Sequence, residues 1–165
     1  MNLEFLFEMQ RELDTNILWK HPELKEEDLL TKKVLAAQVE LGELANEWRG
    51  FKFWSTDQKP RSMMLEEFVD VLHFVLSIGI ELGYQTKGVS LFEKEPPKDI
   101  NEHFIGLNLG LGTIAFKNNV NKWQYNEVLI STLQLGIELG YTPQQIEDAY
   151  YLKNKINFKR QKEGY

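Results

Sequence analysis

Apolar side chains recur along this chain every three to four positions, the period of a helix resting one face on a core. Leu3, Leu6, Phe7, Leu13 and Ile17 predict a first helix over 3–17. The His21-Pro22 step ends it, because the residue before proline is pushed out of helical geometry. Leu30, Val34, Leu35, Ala37, Leu41, Leu44, Ala45 and Trp48 predict a long second helix over 26–48, stopped at Gly50. The aromatic-rich stretch 51–61 (FKFWSTDQKPR) predicts a loop, and 62–82 a third helix ended by Gly83. Residues 84–98 have no pattern and contain Pro96-Pro97, which predicts a surface loop. Two more helices follow, over 99–118 and 122–139, the latter ending at Gly140. The last helix is predicted over 143–160. Thr142 can cap it, Pro143 suits its first position and Gln145 completes a capping box. No alternating strand pattern or hairpin signal stands out. The expected fold is therefore all-α, a bundle of about six helices in one domain spanning 1–165.

One segment occurs twice. Leu76–Tyr84 (LSIGIELGY) and Leu133–Tyr141 (LQLGIELGY) agree at seven of nine positions, 57 residues apart. Two helix ends could converge by composition. The alternative is a degenerate internal helix repeat whose second copy lost its chemistry, with Gln124, Glu127 and Ile130 at the positions of Glu67, Asp70 and His73.

Composition narrows the classes. With 165 residues and 42% apolar content the chain can bury a sizeable core. It has no cysteine, so disulfides and thiolate metal sites are excluded, which fits a cytoplasmic protein. The first residues show no basic-then-apolar signal peptide, and no apolar run approaches a membrane span. A net charge of −6 argues against a nucleic-acid polymer as partner, but not against a nucleotide whose charge a cation neutralises.

The candidate chemistry begins with two acidic pairs, Glu40/Glu43 and Glu67/Asp70. Spacing of i, i+3 sets each pair on one helix face, about 60° apart. An isolated pair of this kind is usually a solvated face. Here Asp70 stands in a run, Phe68 to Ile80, so apolar that burying it unpaired would cost several kcal/mol, roughly. Four facing carboxylates repel one another unless a cation sits among them, and oxygen-only ligands suit Mg²⁺, with Mn²⁺ the alternative. Glu47 and Glu66 are expected at the surface or behind this set. His73 lies one turn beyond Asp70, either as a core histidine or as a donor to a substrate.

Lys153, Asn157 and Arg160 form a second stripe on the last helix, followed by Gly164-Tyr165. Two cations and an amide match phosphate oxygens, although a basic last turn also complements the helix dipole. Gln10 and Asp14 share a face of the first helix. Trp48, Phe51, Phe53 and Trp54 follow the first acidic pair and could stack on a base or simply fill the core. No Walker A loop, GxGxxG, HExxH or GxSxG motif is present, so covalent catalysis is not favoured.

The order of these motifs resembles a known family: Gln10-x-x-Leu-Asp14, then Glu40-x-x-Glu43, then Glu67-x-x-Asp70-x-x-His73-Phe74, then Lys153-Asn-x-x-Asn157-x-x-Arg160-Gln-x-x-Gly-Tyr165. The chain is similar to the dimeric all-α dUTPases of the MazG-like nucleoside triphosphate pyrophosphatase superfamily. The acidic motifs alone give the superfamily; the C-terminal motif and aromatic loop point to dUTPase. The resemblance implies Mg²⁺-dependent hydrolysis of dUTP to dUMP and pyrophosphate, which keeps uracil out of DNA. Carried over by position, Glu40, Glu43, Glu67 and Asp70 would hold the metal, with one of the first pair, Glu43 ahead of Glu40, orienting or deprotonating the attacking water. Lys153, Asn157, Arg160 and Tyr165 would hold the phosphates. Gln10, Asp14, His73, Phe51 and Trp54 would form the base and sugar pocket. Some members have Asn at the position of Asp14, and the compact length matches versions from Gram-positive bacteria and their phages. The resemblance also implies a homodimer whose partner helps complete the pocket, and leaves room for a regulatory protein partner. Two other readings stand beside it: an all-α pyrophosphatase for dCTP or a modified nucleotide, and a non-catalytic partner-binding bundle.

Overall fold

The computed structural model describes residues 1–84, 99–116 and 120–164. The expected loop at 84–98, the last residues of the helix expected to reach 118, and Tyr165 fall largely or wholly outside the described residues. Among the described residues there are six α-helices: α1 (Leu3–Lys20), α2 (Leu30–Trp48), α3 (Met64–Glu81), α4 (Ile100–Phe116), α5 (Lys122–Glu138) and α6 (Pro143–Glu163). A short 3₁₀ turn, Pro22–Glu26, joins α1 to α2, and no strand occurs among the described residues. None of these helices is long and apolar enough to cross a membrane.

Local chemistry sets the boundaries. The Asn2 side chain caps α1, and α1 ends at His21 before Pro22. The second helix starts at Leu30, later than the expected 26. Pro22 opens the tighter 3₁₀ turn instead, and Asp28 Oδ1 accepts the Leu30 N–H. The stop of α2 also differs from the expected one at Gly50. The left-handed residue is Arg49, at φ 66°. Its guanidinium donates to the Asp57 carbonyl at 3.1 and 2.6 Å, which holds this uncommon non-glycine conformation and folds the aromatic loop back on the helix. Gly50 is needed for space: a Cβ there would lie 2.2 Å from the Trp48 ring. The Thr142 capping box and Pro143 open α6 as expected.

Helix α3 lies at the centre, packed against α1, α2, α5 and α6. Phe68, Val71, Leu72, Val75, Leu76 and Ile78 are all buried. The repeat is visible in how α3 meets α5. A Cβ on Gly79 would strike Tyr125, and one on Gly136, 57 residues later, would strike Phe68, whose own 57-residue counterpart is Tyr125. Tyr84 lies 6.2 Å from Tyr125, and its counterpart Tyr141 lies 6.5 Å from Phe68. Each aromatic fills the notch that the other helix's glycine leaves, the pattern expected when two equivalent helices exchange places about a two-fold axis. Every buried position of α5 falls on a buried position of α3. The flanking helices match as well: buried Val34, Ala37, Leu41 and Leu44 of α2 recur 70 residues on as Phe104, Leu107, Leu111 and Ile114 of α4. The repeat is thus a duplicated helix pair, α2/α3 and α4/α5, and convergence of two helix ends is not needed to explain it.

Candidate active site

The acidic pairs meet where α2 crosses α3. Ligand oxygens of Glu40, Glu67 and Asp70 all lie within 4.8 Å of one another. The fourth carboxylate of the quartet, Glu43, is exposed on the turn after Glu40 and stands outside this cluster, though its charge acts on both Glu40 and Glu67. Burial, followed by the charges of Asp70, Glu43 and Glu67, pushes the Glu40 carboxyl up to about 7. Glu67 and Asp70 are raised too, each chiefly by burial. Three carboxyls held above their usual range are a set in need of positive charge.

Part of that charge comes from Lys153 on α6. Its Nζ, almost fully buried, lies 2.5 Å from Asp70 Oδ2 and donates to Glu66 Oε1 at 2.8 Å. Burial pulls the Lys153 ammonium down, but these two carboxylates hold it above the usual lysine value. Glu66 therefore anchors Lys153 from behind the cluster. Glu47, one further turn along α2, keeps a buried Oε2 with no protein partner.

Beside the carboxylates lies a cavity of about 430 Å³. Glu40, Asp70, Asn157 and Arg160 line it. Gln10, Asp14, His73, Phe74, Ser77 and Lys33 line it as well. A hydrogen-bond chain fixes the atoms there. Gln10 Nε2 donates to Asp14 Oδ1 (2.7 Å), and Ser77 Oγ donates to Asp14 Oδ2 (2.6 Å). With its amide nitrogen committed to a carboxylate, Gln10 presents Oε1 as an acceptor. Tyr150 Oη donates to it at 2.7 Å, and His73 Nδ1 lies 2.7 Å away. Nδ1 must then carry the proton, which leaves His73 Nε2 as a bare acceptor, buried, with no protein partner, on the cavity wall. The ring stacks on Tyr150 at 3.9 Å. Burial, reinforced by Lys153, pushes the imidazole down to about 3, so it is neutral. Asp14 is further tied to Lys33 Nζ (3.6 Å), which pairs with Glu81 at 2.7 Å.

Most of the residues singled out in the sequence thus converge: Gln10, Asp14, Glu40, Asp70, His73, Asn157 and Arg160 share the cavity, with Glu67 and Lys153 joined to it through Asp70. Phe51 and Trp54 are not brought there. They pack edge to face on each other at 5.8 Å, in a loop where Phe53 is 86% exposed and Trp54 65%. Trp48 stacks instead on Phe104, at 5.4 Å. Sequence reasoning missed Lys33, Ser77 and Tyr150. The only available signal was that Ser77, one turn beyond His73, is polar in an otherwise apolar run.

An all-α enzyme with a carboxylate cluster beside a nucleotide-sized cavity is the class this geometry defines. The model of a family described as dUTPase matches residues 2–165, and the chain belongs to that family, whose enzymes hydrolyse dUTP. No curated protein matches the chain. Membership implies a divalent metal, and Glu40, Glu67 and Asp70 are able to bind one.

Proposed function

We infer that the chain is a single-domain, cytoplasmic, Mg²⁺-dependent enzyme converting dUTP and water to dUMP and pyrophosphate. The observation that carries this is the meeting of Glu40, Glu67 and Asp70 beside a cavity whose lining also offers a neutral histidine acceptor. The three carboxyls fit a cation on chemical grounds: all are oxygen donors, all are raised above their usual range, and Lys153 already supplies positive charge at Asp70. Bound there, Mg²⁺ would supply charge neutralisation at phosphate oxygens and acidify water.

The remaining steps belong to the protein. Glu43, exposed beside the cluster, orients the attacking water and takes its proton. Asn157 and Arg160 hold phosphate oxygens from α6. Lys153, held beside the cluster by Asp70 and Glu66, offers its ammonium to phosphate. Phosphoryl transfer asks mainly for such positioning and charge neutralisation. His73 Nε2 accepts a hydrogen bond from uracil N3–H. Cytosine has no hydrogen there and would leave two buried acceptors facing each other, which makes rejection strong. Thymine is excluded by its methyl group, and ribose by a group packed where a 2′-hydroxyl would lie. Asp14 acts through Gln10 by fixing which way its amide points.

We further infer a homodimer. Phe53 and Trp54 are exposed, and Leu35, Val39, Ile105 and Leu109 leave apolar stripes open on α2 and α4, more than an isolated domain of this size usually shows. A second copy would cover them and bring its aromatic loop toward the base pocket, where the chain's own Phe51 and Trp54 do not reach. Light scattering giving a single 19.4 kDa species would remove the dimer. The test of the activity is pyrophosphate release from dUTP, dTTP, dCTP, dATP, dGTP and UTP, with Mg²⁺ and with EDTA. Release confined to dUTP and Mg²⁺ is expected. Release from dCTP or another nucleotide would discard the His73 pocket and keep the metal cluster, while no release from any would remove the catalytic reading.

A further inference from the structure

One cation lines the nucleotide cavity well away from the carboxylate cluster: Lys33 of α2, whose side chain is 16% exposed. Among the described residues its Nζ makes one hydrogen bond, to Glu81 Oε2 at 2.7 Å, and one longer ion pair, to Asp14 Oδ2 at 3.6 Å. An ammonium carries three hydrogens, so two are not spent on a hydrogen bond to protein.

Helical register places this group along the cavity. Seven residues separate Lys33 from Glu40 on α2, and seven separate Ser77 from Asp70 on α3. At about 1.5 Å of rise per residue, each interval is roughly 10 Å. Lys33 Nζ and Ser77 Oγ both meet Asp14 Oδ2, at 3.6 and 2.6 Å, so the two intervals end at the same place. The span is comparable with the reach of a nucleotide from its α-phosphate to the outer edge of its base. His73 lies between, one turn before Ser77.

Uracil offers that end of the cavity one donor, N3–H, flanked by two acceptors, O2 and O4. The protein groups there are mostly acceptors as well. His73 Nε2, Gln10 Oε1 and both Asp14 oxygens are of that kind, and Gln10 Nε2 and Ser77 Oγ donate to Asp14. A carbonyl beside N3 needs a donor, and the Lys33 ammonium is a charged one with hydrogens to give. The carboxylate at position 14 sharpens the need, since it cannot donate. A simpler role for Lys33 is to neutralise Asp14 and staple α2 to α3 through Glu81. That staple does not call for lysine. At the equivalent positions of the second helix pair, 70 and 57 residues on, His103 Nδ1 meets Glu138 Oε2 at 2.9 Å.

We propose that Lys33 is a specificity-determining residue that donates a hydrogen bond to a uracil carbonyl beside N3, a role that rests on the dUTP reading of the cavity. The test compares pyrophosphate release from dUTP, 2-thio-dUTP and 4-thio-dUTP by the wild type, Lys33→Met, Lys33→Gln and Glu81→Gln. Sulfur is the weaker acceptor, so replacing the oxygen that Lys33 holds should lower the wild-type kcat/KM by about tenfold. Lys33→Met should lower kcat/KM for dUTP by about ten- to a hundredfold and erase the thio penalty, because neither oxygen nor sulfur then has a donor. Lys33→Gln, whose amide can still donate, should keep part of the penalty. Glu81→Gln loosens the staple but leaves the ammonium, so the penalty should stay. If position 4 is the one affected, rejection of dCTP should weaken in Lys33→Met, because the cytosine amino group no longer meets an ammonium.

A wild type that handles all three uracil substrates alike overturns the contact without any variant. A penalty that persists in Lys33→Met, with every substrate slowed alike, confines Lys33 to balancing Asp14. Loss of the penalty in Glu81→Gln would put the effect on the helix staple. Its loss in Gln161→Leu but not in Lys33→Met would hand the contact to Gln161, which also lines the cavity. Either result overturns the role of Lys33. No pyrophosphate from dUTP and the wild type removes the enzyme reading, and the base contact with it. Release with unchanged penalties removes the Lys33 contact alone.

Discussion

The His73 ring is the most sharply determined group in the cavity, and its protonation can be read through stability. In the folded chain burial pushes its pKa down from 6.5 to about 3. Between those values the unfolded chain binds a proton that the folded chain refuses, so this residue's contribution to stability falls as pH drops below 6.5. At pH 7 the effect is slight; at pH 5 the unfolded state gains about 2 kcal/mol from protonating His73, at ~1.36 kcal/mol per pH unit. The acidic cluster works in the opposite sense, so the wild-type profile alone is ambiguous. His73→Asn separates them, because its amide can still donate to Gln10 Oε1 but cannot titrate. Urea unfolding of both proteins in EDTA at pH 7 and pH 5 gives the difference directly. The variant should be less stable at pH 7 through lost packing on Tyr150, and the gap should shrink by about 2 kcal/mol at pH 5. Parallel profiles would mean that His73 titrates normally in the folded chain. The bare Nε2 acceptor, and the uracil recognition built on it, would then be wrong.

Other consequences follow from the cluster and the helix packing. Glu67→Gln should lower dUTP turnover by about 100-fold or more, the scale of losing a direct charge contact to the reacting group, while circular dichroism stays unchanged; full turnover would remove Glu67 from the ligand set. In EDTA, the raised Glu40, Glu67 and Asp70 carboxyls make the folded chain the better proton binder from the ordinary carboxylate range up to about 7 for Glu40, so their contribution to stability declines as pH rises through that window. Mg²⁺ should therefore raise the melting temperature more at pH 8 than at pH 5, where protons compete; an equal rise at both would place the bound metal elsewhere. Gly136→Ala puts a Cβ 2.5 Å from Phe68 Cζ and should cost about 1–3 kcal/mol in urea unfolding. Gly79→Ala, with a Cβ 2.2 Å from Tyr125 Oη, should cost a similar amount, and a neutral result at either glycine would undo the reciprocal packing.

The helices were legible in the chain because their causes are local. A 3.6-residue apolar period, the His21-Pro22 break and the Thr142 capping box act through neighbours in sequence, and each produced the expected element. The acidic pairs were legible for the same reason: i, i+3 spacing within an apolar helix fixes a face. What the sequence could not supply was which faces meet. Glu43 has the same spacing as Glu40 yet points to solvent, because the crossing of α2 over α3 favours one turn of the helix over the next. Lys153 and Asp70 are 83 positions apart, and only the docking of α6 makes them a pair. The His73 tautomer depends on Asp14, Gln10 and Tyr150, three groups on two other helices, and no local rule brings them together. The duplication was half visible. Identity survived at the α3 and α5 ends, where Gly79 and Gly136 admit a facing ring that a Cβ would strike. On α2 and α4 identity is sparser, at Leu41/Leu111, Gly42/Gly112 and Ala45/Ala115, and elsewhere burial is what recurs, since any apolar side chain of suitable size fills those positions. Local sequence thus determined the elements and the chemical types they carry, whereas long-range packing decided which of those groups share a cavity, because hydrogen bonds and charge coupling act over a few ångströms of space whatever the distance along the chain.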